Sequence, residues 1–83
     1  MSLSDDVRKY CIDNYILPMR EKGDNIVLIR AGDIHTAMGY NNRLPLVCSS
    51  LGSKKFENIA KVQRVSIEGP LNGSNTTFIF RLI

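Results

Sequence analysis

Leu44, Val47, Cys48 and Leu51 fall at i, i+3, i+4 and i+7, which writes a single apolar stripe along a helix. Pro45 suits the first turn of such a helix, where its missing N–H costs no hydrogen bond, and Gly52 stops it. A helix this short is not stable alone. It must seat its stripe in a core supplied by the rest of the chain. Arg43, Leu46, Ser49, Ser50 and Ser53 are then left pointing outward.

The flanking sequence supplies that seat. Ser4 suits a helix N-cap, with Asp5 and Asp6 complementing the positive end of the helix dipole. Val7, Tyr10, Cys11, Asn14 and Tyr15 follow at helical spacing, and Pro18 predicts either an end near Ile16 or a kink. Gly23 closes the segment. Asn25 to Arg30 is a short β-branched run that reads as a strand. Gly32 to Gly39 reads as a short helix with Ile34, Ala37 and Met38 on one face, and Tyr40-Asn41-Asn42 is turn chemistry. Phe56 and Ile59 are expected to plug the core from a connecting segment. Val62 to Glu68 alternates, with Val65 and Ile67 facing one way and Arg64, Ser66 and Glu68 the other. Gly69 to Asn75 is a turn-rich hairpin loop. Thr76 to Ile83 alternates again, with Phe78, Phe80 and Leu82 inward. The expected architecture is a single α+β domain over residues 1–83, three helices with a small antiparallel sheet in the order α-β-α-α-β-β.

A chain of 83 residues fits one domain, and 43% hydrophobic with 23% charged residues excludes a disordered tail. No apolar run approaches the roughly 18 residues of a membrane span. Met1 to Asp6 lacks the basic start and apolar stretch of a secretory signal, so the expected location is the cytoplasm, with Cys11 and Cys48 as buried thiols. In a secreted chain the two would instead form one disulfide. Asn72-Gly73-Ser74 and Asn75-Thr76-Thr77 match the glycosylation sequon, which has no meaning without a signal peptide.

The net charge of +3 is unevenly placed. Residues 42–64 carry Arg43, Lys54, Lys55, Lys61 and Arg64 against Glu57 alone, while the rest of the chain is near neutral. A localised basic stretch is the footprint of a phosphate-binding face, although a solvated surface gives the same count. Catalytic chemistry is not indicated. His35 stands alone, no carboxylate pair accompanies an acid or base, and no Gly-rich phosphate loop precedes a lysine. Cys11, Cys48 and His35 are too few for a zinc site. No enzyme activity, cofactor or metal is expected.

The order helix, strand, helix, turn, helix, strand, loop, strand resembles the winged helix-turn-helix superfamily over nearly the whole chain. The stretch Gly32-Asp33-Ile34-His35 through Gly39, then Asn42-Arg43-Leu44-Pro45 and Val47-Cys48, is similar to small prokaryotic winged-helix modules. The resemblance implies a non-catalytic double-stranded DNA-binding protein, a transcription regulator or DNA-targeting module. Gly32 to Leu51 would be its helix-turn-helix, Leu44 to Leu51 the recognition helix in the major groove, and Gly69 to Asn75 the wing.

On that reading Arg43, at the start of the helix, bonds guanine O6 and N7, a contact worth roughly 1–3 kcal/mol of discrimination. Asn42 reads adenine or holds a phosphate. Leu46, Ser49, Ser50 and Ser53 form the slim outward side. Lys54 and Lys55, extended by Lys61 and Arg64, neutralise backbone phosphate. Asn72 and Ser74 donate from the wing, which carries no Lys or Arg and is entered by Glu68. The uncharged wing, the low net charge and the apolar Leu46 and Ile79 favour a different use of the same fold, as a protein–protein interaction module. A homodimer through the first helix or the last strand is expected under either reading.

Overall fold

Ser2 opens the first helix in the computed structural model, which describes residues 2–83. Its backbone is extended (φ −88°, ψ 159°) and its Oγ accepts from the Asp5 N–H at 3.1 Å. The cap therefore lies two residues earlier than the expected Ser4, and Asp5 and Asp6 still occupy the first turn. Helix α1 (Leu3–Cys11) runs without a break through a π-helical turn (Ile12–Ile16) into α2 (Leu17–Lys22). The wide turn is how the chain absorbs Pro18 without ending the helix. A proline ring clashes with the carbonyl four residues back, and a π turn opens that space. Asn14 Nδ2 donates to the Tyr10 carbonyl at 2.9 Å within the same stretch. Gly23 then closes α2 in the left-handed region (φ 80°), with its own N–H and that of Asp24 donating to the Arg20 and Met19 carbonyls.

The remaining elements are β1 (Ile26–Arg30), α3 (Ala31–Ala37), α4 (Leu44–Leu51), α5 (Lys54–Ala60), β2 (Val62–Glu68) and β3 (Thr77–Leu82). The strands form one antiparallel sheet in the order β1-β3-β2, with Leu28 opposite Ile79 and Ile79 opposite Ser66. The coarse expectation of an α+β domain with a small antiparallel sheet holds.

Two local expectations do not. The segment expected to connect α4 to β2 is a helix, α5. Ser53 caps it by accepting from the Phe56 N–H at 3.2 Å, and Phe56 and Ala60, one turn apart, are buried. Ile59, expected to plug the core, is exposed. The second departure is in β2, where a bulge between Arg64 and Ser66 resets the alternation. Ile67 pairs with Phe78, Arg64 pairs with Phe80, and Val65 is exposed, so Val65 and Ile67 do not share an inward face.

One continuous core holds Val7, Cys11, Ile16, Val27, Ile29, Ile34, Val47, Leu51, Phe56, Phe78 and Phe80. The Phe56 and Phe80 rings meet edge to face with centroids 5.2 Å apart. Burying each contributes about 1.5–3 kcal/mol. Arg20 fastens α2 to the far side of the molecule by donating to the carbonyls of Ala60, Lys61 and Ile83.

Candidate nucleic-acid interface

The stripe of α4 is seated as its spacing requires. Val47, Cys48 and Leu51 are buried and Leu44 is half-buried, so Pro45, Ser49 and the half-buried Leu46 make up the outward side. α1 and α3 pack against α4 from the interior. Its N-terminal end carries the positive end of the helix dipole, with no acidic residue in the first turn.

Asn42 and Arg43 sit just before that end. Asn42 takes the left-handed conformation (φ 55°) and is exposed. The Arg43 N–H donates to His35 Nε2 at 3.1 Å. His35 thus ties α3 to the turn and fixes where the Arg43 side chain starts. Its ring also meets Tyr40 edge on, with centroids 6.3 Å apart. The Arg43 side chain is exposed and makes no hydrogen bond or ion pair among the described residues.

The serines separate. Ser49 is exposed and its hydroxyl donates to the Leu46 carbonyl at 3.1 Å. Ser50, expected on the outward side, is fully buried and donates to the same carbonyl at 2.7 Å. It lies on the flank where α4 turns into the molecule, and small residues fit there without a cavity. Ser53 is half-buried and already committed. It caps α5, donates to the Ser50 carbonyl at 2.7 Å and accepts from Arg8 Nε at 3.3 Å. Neither Ser50 nor Ser53 is placed to touch a partner.

Four of the cations expected to meet phosphate lie beyond the C-terminal end of α4, and they are not equally free. Lys54 keeps 86% of its side-chain surface exposed, 3.8 Å from Glu57. Lys55 donates to Asp5 Oδ1 at 3.0 Å, a contact that holds the Asp5 carboxyl below its ordinary value, with Ser2 and Arg8 adding to the effect. Arg64 donates from Nη1 to the Gly52 carbonyl at 3.1 Å, completing the C-terminus of α4, while its N–H donates to Glu57 Oε1. Lys61 is exposed in the left-handed cap of α5 (φ 59°). Lys55 and Arg64 are therefore spent largely on the fold, and Arg43, Lys54 and Lys61 are the open charges of this segment.

The β2–β3 loop folds back onto the helices. The Gly32 N–H donates to the Ser74 carbonyl at 2.9 Å and the Ala31 N–H to the Thr76 carbonyl at 2.8 Å, so the loop sits on the first turn of α3. Arg30 clamps it by bonding Asp33 at 2.7 Å and Asn75 Oδ1 at 2.6 Å. Inside the loop the buried Thr76 hydroxyl donates to the Pro70 carbonyl and accepts from the Gly73 N–H. The loop also approaches the Cys48 thiol. Burial pushes that thiol up, and the nearby Thr76 side chain and Asn72 backbone partly offset it. Asn72 (φ 54°) and Ser74 are exposed, Asn72 with its backbone near Cys48 of α4 and Ser74 against Gly32 of α3.

The fold thus brings together Asn42, Arg43, Leu46 and Ser49 along one side of α4, while Asn72 and Ser74 lie on the loop set on α3. Pro45 belongs to the same surface and His35 positions it. The stripe offset marks Pro45 in the sequence, whereas nothing in the sequence ties His35 to Arg43. Among the described residues no group of three His, Cys, Asp or Glu converges to hold a metal, and no helix is long and apolar enough to cross a membrane. No protein-family model matches the chain, and no curated protein or solved structure gives a significant match.

Proposed function

We propose that the chain is a winged helix-turn-helix domain that binds double-stranded DNA with α4 in the major groove, as a regulator or targeting module without catalytic activity. The observation that carries this reading is the outward side of α4. It presents an unpaired arginine at the N-terminal end, then only slim or apolar side chains, Pro45, Leu46 and Ser49. A helix that enters a groove needs that profile, because bulky or acidic residues would hold it away from the bases.

Two features of the fold support the reading, and a third departs from it. α3 and α4 are joined by a short turn whose geometry His35 maintains. A strand between the first helical segment and α3 pairs with the last strand, and the loop before that last strand lies beside α4. α5, inserted between α4 and β2, displaces Lys54 and Lys55 from the end of α4 onto a helix of their own.

The number of open cations sets the expected salt dependence. With Lys54 and Lys61 as the phosphate-facing charges, log K should fall against log salt with a slope of roughly −2. The test is selection of a preferred site from a random duplex pool, followed by fluorescence anisotropy across a salt series. Enrichment of a discrete site with a shallow salt slope supports the reading. No enriched site, or equal affinity for duplex and heparin, defeats it and favours protein recognition.

A further inference from the structure

Antiparallel sheets that face water on one side normally read apolar inward and polar outward. The outward row of this sheet breaks that rule at its centre. Leu28 is opposite Ile79, Ile26 lies one row along, and the bulge turns Val65 out beside them. Leu28 is 57% exposed, Val65 50% and Ile26 42%, and no element among the described residues covers them. We propose that this face is the docking surface for a second copy of the chain.

The charges at the ends of the face identify the occupant. Thr77, Ile79 and Arg81 share the outward side of β3, and Glu68 pairs with Thr77. Arg81 and Glu68 therefore sit at opposite ends of the apolar patch, about 13 Å apart along the strands. Both are exposed, and neither makes an ion pair within the chain among the described residues. Arg30, the other outward cation, is already held by Asp33 and Asn75. A two-fold axis across the strands lays Leu28 and Ile79 of one copy over the same patch of the other, and carries Arg81 of each toward Glu68 of its mate. A patch apolar in the middle with opposite charges at its two ends is complementary to itself, which an isologous interface requires.

The face is small. Three strands span about 14 Å, and the paired length is about 17 Å. Each such face offers only about 240 Å² of flat area, and two together about 480 Å², below the range of stable specific association. The dimer is thus one that dissociates on dilution, and the open side of α4 is not part of it.

Light scattering after size exclusion, run on the full chain over a concentration series, tests the proposal. The wild type is expected to pass from monomer to dimer as concentration rises. Leu28→Glu is expected to remain monomeric with an unchanged circular dichroism spectrum, since its side chain is outside the core. Leu71→Glu, on the exposed loop, is expected to dimerise like the wild type. Arg81→Glu and Glu68→Arg are each expected to weaken the dimer about tenfold, and the double exchange to restore it, which a fold defect would not do. A wild type monomeric at every concentration overturns the proposal, even if some other protein binds the same face. So does a dimer that survives both Leu28→Glu and Arg81→Glu.

Discussion

Gly32 and Ser74 meet so closely that a Cβ added to Gly32 would lie 2.5 Å from the Ser74 carbonyl oxygen. That contact, with the Gly32 N–H donating to the same oxygen, sets the β2–β3 loop on α3 and beside α4.

Gly32→Ala is therefore expected to push the loop off the first turn of α3. The clash is with backbone, which cannot swing aside as a flexible side chain would, and such overpacking costs about 1–3 kcal/mol. Urea denaturation measures it. Ser74→Ala, which keeps the carbonyl and removes only an exposed hydroxyl, is expected to change stability by less than about 0.5 kcal/mol.

Arg20→Ala removes the donor that joins three carbonyls, those of Ala60, Lys61 and Ile83, to α2. A guanidinium forks to reach all three, and an ammonium cannot. The expected loss is about 1–3 kcal/mol, the range for bonds from a charged donor. Arg20→Lys should recover only part of it in the same denaturation experiment.

The cysteines give stability a pH dependence of known sign. Burial pushes the Cys11 thiol from its ordinary 9.0 up to about 12, and burial is also the main cause of the upward shifts at Cys48 and Tyr15. Above about pH 9 the unfolded chain loses these protons while the folded chain keeps them, so the folded state binds more protons and stability falls as pH rises. The contribution is complete below that value and is lost through the folded values. Urea midpoints should fall above about pH 9. Cys11→Ala should lie lower overall and decline less steeply. Ellman's reagent should react slowly with both thiols in the folded protein and fast in urea, since both are free and buried.

What could be read from the sequence was whatever declares itself by period. The i, i+3, i+4, i+7 offset of Leu44 to Leu51 located α4 and its buried side, and the alternation in residues 76–83 put Phe78 and Phe80 inside. α5 escaped because two buried residues one turn apart make no stripe, although Ser53 three residues before Phe56 is a cap signal. The π turn escaped because Pro18 says only that a helix must adjust, not how. Ser50 escaped because it lies at the edge of the buried arc, where a wheel does not decide between solvent and a neighbouring helix. The commitments of Lys55, Arg64 and Ser53 are long-range, to Asp5, Gly52 and Arg8, and no local pattern carries them.

The central claim rests on Arg43, the unpaired cation on the open side of α4. Its most direct test is the affinity of the wild type and of Arg43→Ala for a selected duplex and for a scrambled one of equal length. Loss of a two-pronged base contact of roughly 1–3 kcal/mol should weaken binding to the selected site by about 5- to 150-fold. Binding to the scrambled duplex should change little. Equal affinities of the two proteins for the selected site, or equal losses on both duplexes, would contradict it.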